Sequence, residues 1–292
     1  MNWILLATCS ALLSAAAAVA QKRTLFRMHA LEFSFLVSAA VLTLSLFVPF
    51  TTNVLALPGR AMTVLAVKSV LGGVAFLLVM MALERNAISN ALPLMGLTPA
   101  VTALLALLLL HESLRPWQWF GLALMLAGTW ALELGARKPA PGTPEATFGT
   151  GRHRLMLGAL LLFALSAVAD RLLLGGMRVP PNVVLFHQNL IYCVMFGGML
   201  LVRRRPFAEL ARRGREQWVL VVAIAVLTLG YRFFQLQATR VGPVALVLAV
   251  KRTSIVYASF FGGRMFAEER LVPRVAGAAL IVAAGFLFLG RE

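Results

Sequence analysis

Charged residues are scarce in this chain of 292 residues. Only 13% of the residues are Asp, Glu, Lys or Arg, whereas 60% are hydrophobic, and the mean hydropathy is +0.86. A soluble domain carries roughly 25% charged residues, and a soluble fold of this length could not remove so much apolar surface from water. The composition therefore excludes an ordinary soluble protein and predicts that lipid surrounds most of the chain.

Cysteines and catalytic motifs are equally scarce. The two cysteines, Cys9 and Cys193, both lie in apolar segments, which excludes a disulfide framework and a cysteine metal site. The chain lacks a Gly-x-x-x-x-Gly-Lys phosphate loop, a Gly-x-Ser-x-Gly elbow and a His-Glu-x-x-His pair. We therefore expect no enzyme activity, no catalytic residue, no metal and no cofactor.

Long apolar runs are abundant. A membrane-spanning helix needs about 20 predominantly apolar residues. Windows of that length predict an all-α membrane protein with ten transmembrane helices, at 2–20, 31–50, 61–83, 89–110, 116–135, 155–177, 182–202, 217–238, 242–264 and 271–290.

Two polar segments interrupt this pattern. The segment 136–154 is rich in Pro, Gly and Thr and is typical of a linker. The segment 203–216 reads as a basic loop. The linker divides the chain into two five-helix units, 1–135 and 155–292.

The two units are similar in sequence. Residues 82–136 align without a gap with 238–292, so that Glu112 meets Glu268 and Gly121 meets Gly277. Ala-Val-Ala-Gln-Lys at 18–22 likewise matches Ala-Val-Ala-Asp-Arg at 167–171. Because five is odd, the second unit must cross the membrane in the opposite sense to the first. Inverted repeats of this kind, built around a central cavity, are characteristic of secondary transporters.

Segments 82–132 and 236–289 resemble EamA repeats of the drug/metabolite transporter superfamily. The shared features are a Pro in the fourth helix, a Glu ending helices four and nine, and the Gly that follows each Glu. The resemblance implies ten helices around a central cavity, alternating access without ATP hydrolysis, and a bacterial inner-membrane location. It leaves the substrate open, because the superfamily carries amino acids, sugars, nucleotide sugars, phosphorylated sugars and drugs.

The basic residues predict an orientation. The net charge of +16 comes from residues that lie between the apolar runs, which favours anionic lipid over nucleic acid as their partner. Of 27 Lys and Arg residues, 17 fall in odd-numbered loops and five in even-numbered loops or at the C-terminus. The positive-inside rule then places odd loops in the cytoplasm and both termini outside.

The remaining five bases fall inside predicted spans, where a charge near the bilayer centre costs about 2.5–3.5 kcal/mol on insertion scales. Lys251 and Arg252 lie about 13 Å into helix nine at the helical rise, close to the midplane. They either line a watery cavity or form an internal salt bridge, for which Asp170 is a candidate. The string around them is also similar to the ninth helix of triose-phosphate translocators. That resemblance implies that the pair binds an anionic group.

The other bases are less clearly placed. Arg232 either completes a positive cavity or snorkels to the nearby helix end. Lys68 lies within two turns of its helix end, which favours snorkelling over the alternative of a role in the cavity. Arg171 ends helix six, next to Asp170, which is either a proton-coupling carboxylate or a structural partner of a base. Its first-half counterpart is Gln21, so no such role is symmetric.

Further candidates for substrate binding are uncharged. Ser254 shares the face of Lys251 by i+3 spacing, and Tyr231 precedes Arg232. Of His187, Gln188 and Asn189, we expect one or two to face the cavity. In helix four, Asn90 and Thr98 accompany prolines that bend a helix and expose its carbonyls. Glu112 and Glu268 lie at the interface, where we expect hydrogen bonds to neighbouring helix ends. The glycine pairs 72–73, 197–198 and 262–263 permit close helix contact.

Three functional hypotheses compete at this stage. The first is a secondary transporter of a small anionic or zwitterionic metabolite, more readily an exporter than an importer, with a proton or counter-substrate as the coupling partner. The second is a lipid-head-group flippase or a membrane-embedded enzyme. The flippase would need a lateral opening, and the enzyme a cluster of carboxylates or histidines. The third is a receptor or scaffold with a sealed interior.

Overall fold

The computed structural model describes residues 2–54, 57–85, 95, 97–136, 151–204, 206–254 and 257. Within these ranges the regular structure is helical. The helices are α1 (Trp3–Leu25), α2 (Ala30–Leu44), α3 (Val48–Thr51), α4 (Gly59–Arg85), α5 (Thr98–Leu110), α6 (Pro116–Ala136), α7 (Gly151–Arg171), α8 (Pro181–Val202), α9 (Phe207–Glu216), α10 (Trp218–Val241) and α11 (Val244–Arg252), and a π-helical segment, Leu172–Gly176, continues α7.

Six helical segments in the described part are long and apolar enough to cross a membrane. They are Trp3–Leu25, Ala30–Thr51, Gly59–Glu84, Leu155–Gly176, Pro181–Val202 and Trp218–Val241. They match six of the ten predicted spans and confirm that the described part of the chain is helical, with several segments of membrane-spanning length. The helices α5, α6 and α11 coincide with parts of predicted spans four, five and nine, and span ten lies outside the described residues.

Hydroxyl side chains inside the apolar helices bond to their own helix. Ser34, Ser45 and Ser69 are buried, and each donates to the carbonyl four residues earlier over 2.6–2.7 Å. Hydrocarbon offers no alternative partner, so a hydroxyl placed there must be satisfied by protein. These serines are therefore compatible with a membrane-spanning helix and need no functional role.

The long helices pack in a reciprocal pattern. The most extensive contacts join α1 to α10 and α4 to α7. The helix α2 packs against α8, α5 packs against α7, and α11 packs against α1 and α5. Each of these contacts joins a first-half helix to a second-half helix, which interleaves the two halves around a common centre.

The sequence predicted a basic loop at 203–216, but most of this segment is helical. Residues Phe207–Glu216 form the short helix α9, in which Leu210 is buried. Arg213 donates to Glu32 at the start of α2 over 3.1 Å and also contacts Glu209 on its own helix. The hydrogen bond with Glu209 and the charge of Glu32 raise the pKa of Arg213 further above its ordinary value. An amphipathic pattern with one buried leucine explains why this basic stretch is ordered.

Arg171 joins the ends of three helices. Its guanidinium contacts Glu112, just after α5, over 3.2 Å and donates to the carbonyls of Thr239 and Arg240 in the last turn of α10 over 2.9 and 3.0 Å. The last carbonyls of a helix have no partner within the helix, so a cation there satisfies them. This arrangement agrees with the expectation that Glu112 binds neighbouring helix ends. Glu268 lies outside the described residues.

Candidate functional site

A cavity of about 180 Å³ lies at the centre of the helix assembly. Residues from α1, α2, α4, α5, α7, α8, α10 and α11 line it, so both halves contribute. Its wall is partly apolar, with Phe76, Met80 and Phe163, and partly polar. The polar lining residues are Ser14, Gln21, Ser38, Thr98, Ser166, Asp170, Gln188, Asn189, Tyr192, Thr228, Tyr231, Arg232, Gln235, Lys251 and Arg252.

A second depression of about 270 Å³ lies near the ends of α2, α4 and α8. Its acidic side chains already have partners in the protein. Glu84 contacts His29 over 2.9 Å and accepts from the backbone N–H of Ala30 over 3.0 Å, while Glu32 pairs with Arg213. Because these contacts cap and connect helix ends, the central cavity is the better candidate for a functional site.

Four polar side chains form a closed network beside the cavity. Lys68 Nζ donates to Asp170 Oδ1 and to Gln188 Oε1, both over 2.6 Å. Arg232 Nη2 donates to the same Gln188 oxygen over 2.7 Å and contacts Asp170 Oδ2 over 3.3 Å. The four residues come from α4, α7, α8 and α10. Buried charges are tolerated only when they are paired and hydrogen-bonded, and here each is.

The position of Lys68 corrects the expectation that it snorkels. Its side chain is fully buried, at 0% exposure, and points to Asp170 rather than to the membrane surface. The helix α4 begins at Gly59, so Lys68 lies deeper than the predicted span implied, and α7 packs along α4 and supplies a carboxylate within reach. A buried counter-charge with two hydrogen bonds removes the reason to snorkel.

Lys251 and Arg252 line the cavity without a carboxylate partner in the described part of the chain. Lys251 Nζ donates to Gln235 Oε1 over 2.6 Å and lies 4.6 Å from the centre of the Tyr231 ring. Arg252 donates to Thr98 Oγ1 over 3.0 Å. Their partners are neutral, so their charges remain uncompensated by these contacts. The alternative of a direct salt bridge from this pair to Asp170 is not observed.

Two guanidinium nitrogens at the cavity lack a hydrogen-bond partner among the described residues. They are Arg232 Nε and Arg252 Nε, both buried. A buried donor with no acceptor costs free energy, so such atoms indicate a place for water or a ligand.

The polar residues of α8 divide as their helical spacing requires. Gln188 and Asn189 line the cavity, whereas His187 does not. The His187 ring lies 3.0 Å from the Val183 carbonyl and packs edge-on against Phe186. Successive residues on a helix point about 100° apart, so three in a row cannot share one cavity. His187 is therefore a buried helix-packing residue and not part of the site.

Ser254 is also absent from the cavity wall. The i+3 argument assumed a continuous helix, but α11 ends at Arg252 and Thr253 forms a turn. Thr98 and Tyr231 line the cavity as predicted candidates, and Asn90 lies outside the described residues. The sequence analysis missed Gln235 and Tyr192. Thr228, Tyr231, Arg232 and Gln235 follow i, i+3, i+4, i+7 spacing on α10, a pattern that could have identified Gln235.

The cavity is strongly cationic. Three basic side chains, Arg232, Lys251 and Arg252, line it in the described part, and Asp170 is the one carboxylate there. No group of three or more potential metal ligands occurs among the described residues. The arrangement can bind a small anion through charge-assisted hydrogen bonds, and the described wall offers no nucleophile paired with a base.

Comparison with known proteins agrees with this description. A solved structure, titled only as the crystal structure of a protein, matches with a TM-score of 0.76 and 19% sequence identity, over 98% of this chain and 96% of that one. This likeness supports the fold alone. Among curated proteins no significant match was found.

The model of the EamA-like transporter family matches twice, over residues 1–133 and 153–290. The two matched segments coincide with the two similar units seen in the sequence and together cover nearly the whole chain. Members of this family are membrane transporters and not enzymes, as the sequence predicted. The chain therefore belongs to the EamA-like transporter family.

Proposed function

We propose that the protein is a secondary transporter that binds a small anionic or zwitterionic metabolite in the central cavity and releases it by alternating access. The observation that supports this most directly is the excess of cations over carboxylates on the cavity wall. Charges buried in a membrane protein are expensive and usually serve a substrate or ion pathway. The proposed substrate-binding residues are Lys251, Arg252, Arg232, Tyr231, Gln188 and Thr98.

The packing of the helices supports two inverted repeats. Exchanging each first-half helix for its second-half equivalent converts the contact of α1 with α10 into that of α7 with α4. The contact of α5 with α7 becomes that of α11 with α1. Two similar halves of opposite orientation can exchange conformations, which opens the cavity first to one side and then to the other. We propose ten helices in this arrangement, in the bacterial inner membrane with both termini outside.

In this proposal Asp170 is a structural partner of buried cations and not a proton-coupling carboxylate. Its two oxygens contact the cations Lys68 and Arg232, over 2.6 and 3.3 Å. Both of its oxygens thus already have a charged partner within the protein. The geometry therefore favours the structural alternative, and coupling to a counter-substrate fits it better than coupling through Asp170.

The test begins with purified protein in detergent. A thermal-shift screen against amino acids, organic anions and sugar phosphates should identify solutes that raise the unfolding temperature, because a ligand that binds the folded state stabilises it. Each such solute is then radiolabelled, and its uptake into proteoliposomes is measured. We expect saturable uptake that Lys251→Ala and Arg252→Ala each reduce at least tenfold, about 1.4 kcal/mol or more of lost binding.

Arg60→Ala is the matched control, because Arg60 is an exposed base at the start of α4, away from the cavity. It should leave uptake unchanged. If Lys251→Ala folds normally and transports every accepted solute at the wild-type rate, the anion-binding part of the proposal is wrong. If no solute that stabilises the protein crosses the membrane, the transport part is wrong.

A further inference from the structure

The buried Lys68–Asp170 pair is oriented with its carboxylate toward the cavity and its ammonium away from it. Asp170 lies on the cavity wall, whereas Lys68 lies behind it and is not a lining residue. The ammonium and the carboxylate are 2.6 Å apart, at exposures of 0% and 3%. The pair is therefore a dipole whose negative end faces the cavity, in surroundings where water screens it weakly.

The same carboxylate also engages a cation that the solute would need. Asp170 Oδ2 lies 3.3 Å from Arg232 Nη2, a longer contact than the 2.6 Å that joins Oδ1 to Lys68. Gln188 Oε1 bridges the two cations from the other side. Arg232 is thus held in place by neighbours, with its buried Nε still lacking a partner. An incoming anion meets an Arg232 that is already partly neutralised.

Asp170 occupies a singular position in the sequence. It is the only aspartate in the chain, and the matching position in the first half is Gln21, which also lines the cavity. A neutral amide in one half and a carboxylate in the other give the cavity one built-in negative charge rather than none or two.

Resting on the proposed function, we propose that the Lys68–Asp170 pair is an internal counter-ion that sets the charge of the accepted solute. Asp170 competes with the solute for Arg232, and Lys68 is a positioning residue that holds Asp170 in place without touching the solute. The wild-type cavity then disfavours a second negative charge on the solute. Removal of the pair leaves the described wall with three lining cations and no carboxylate, and it shifts the preference toward the more highly charged anion.

Three four-carbon acids of similar length serve as probes. At neutral pH, succinate carries two negative charges, succinamate carries one, and 4-aminobutyrate is a zwitterion. Their dissociation constants are measured by calorimetry with wild-type protein and with Lys68→Met/Asp170→Asn, which removes both charges of the buried pair. In the double variant we expect succinate affinity to rise about tenfold relative to succinamate, with 4-aminobutyrate the weakest ligand.

Two further variants complete the test. Arg213→Met/Glu32→Gln removes an ion pair that joins α9 to α2 outside the cavity, and it should leave the ratio of succinate to succinamate affinity unchanged. Arg232→Gln retains the Lys68–Asp170 pair, so it keeps the test informative if the double variant does not fold. It should weaken succinate binding by about tenfold or more.

The proposal is overturned by an unchanged affinity ratio in the folded double variant, by unchanged succinate binding in Arg232→Gln, or by no binding of the three acids at millimolar concentration. Because these are binding measurements, they separate this proposal from the proposed transport. A shifted ratio without uptake into proteoliposomes would retain the counter-ion and reject transport. Uptake into proteoliposomes with an unchanged affinity ratio would support transport and reject the counter-ion.

Discussion

Lys22 and Arg171 hold equivalent positions in the two halves and make the same kind of contact. Lys22 donates to the carbonyl of Leu83, near the end of α4, over 2.6 Å, and Arg171 donates to the carbonyl of Thr239, near the end of α10, over 2.9 Å. Leu83 and Thr239 are themselves matched in the alignment of 82–136 with 238–292. A contact repeated at matched residues favours descent of both halves from one five-helix unit.

The contacts of Arg171 lead to a prediction about stability. Arg171→Ala leaves two helix-end carbonyls and Glu112 without their cation. We therefore expect the free energy of unfolding to fall by about 1–3 kcal/mol, with a lower unfolding temperature in detergent. Arg171→Lys keeps the charge but loses the planar guanidinium, so its unfolding temperature should lie between those of the wild type and Arg171→Ala. Arg240→Ala is the control, because Arg240 is an exposed base in the same last turn of α10. Equal effects of Arg171→Ala and Arg240→Ala would contradict this assignment.

The buried ion pair gives a second prediction. Lys68→Met leaves Asp170 with only its longer contact to Arg232, and Asp170→Asn leaves Lys68 without the carboxylate that it contacts, so each should destabilise the protein by about 3–5 kcal/mol. The double variant leaves neither member of the pair alone and should recover part of that loss, although Arg232 still loses its contact with Asp170. Thermal unfolding of the four proteins forms a double-mutant cycle. Additive losses in the double variant would show that the two side chains do not depend on each other.

A third prediction concerns close helix contact. A methyl group on Gly72 would lie 2.6 Å from the Tyr192 hydroxyl and 3.1 Å from Ser166 Oγ, so Gly72→Ala must displace side chains on the cavity wall. We expect the free energy of unfolding, measured by thermal denaturation, to fall by about 1–3 kcal/mol and solute binding to weaken.

Gly198 provides the matched comparison for that substitution. It lies in α8, and a methyl group there would meet nothing within 4 Å. Gly198→Ala should therefore be neutral or stabilise by about 0.5–1 kcal/mol, because alanine favours a helix. A tolerated Gly72→Ala with unchanged solute binding would show that the α4–α8 contact is looser than the structure has it.

The hydrogen bond from Arg252 to Thr98 yields a fourth prediction. Thr98→Val retains the shape of the side chain but removes the acceptor that orients the guanidinium. Succinate affinity should fall two- to tenfold, the equivalent of about 0.5–1.5 kcal/mol. Thr43→Val is the control, since the exposed Thr43 hydroxyl bonds only to its own helix at Ala39 in the described structure. Equal succinate affinity for wild type and Thr98→Val would remove Thr98 from the binding site.

Much of the fold could be predicted from the sequence, because a membrane-spanning helix needs only length and apolar composition. The six long segments agree with the windows of about 20 residues to within a few residues at most ends. The cavity wall was harder to predict. Gln188, Tyr231 and Arg232 were identified as polar residues at depth, but their partners lie on other helices and up to 120 residues away.

The errors have specific physical causes. Lys68 was misplaced because depth in one helix says nothing about a counter-charge on the helix beside it. Ser254 was misplaced because helical spacing fails where α11 ends at Arg252. His187 was included because three consecutive polar residues do not reveal which of them faces inward. In each case tertiary packing, and not local pattern, decided the outcome.

Our central claim is that water and anions can enter the cationic central cavity of the helix assembly. Thr228→Cys tests it directly, in a background of Cys9→Ser and Cys193→Ser, because Thr228 lines the cavity beside Arg232. The reaction rates of the introduced thiol are measured with two membrane-impermeant methanethiosulfonates, the negatively charged sulfonatoethyl reagent and the positively charged trimethylammonioethyl reagent. Phe50→Cys, at a site that is 90% exposed near the end of the span Ala30–Thr51, is the control.

We predict that the anionic reagent modifies the thiol at position 228 faster than the cationic one, and that Lys251→Gln slows the anionic reagent selectively. At position 50 the anionic reagent should not be preferred in this way, and Lys251→Gln should leave both reaction rates unchanged. No reaction at position 228 with either reagent, or a faster reaction with the cationic one, would contradict a water-accessible, positively charged cavity.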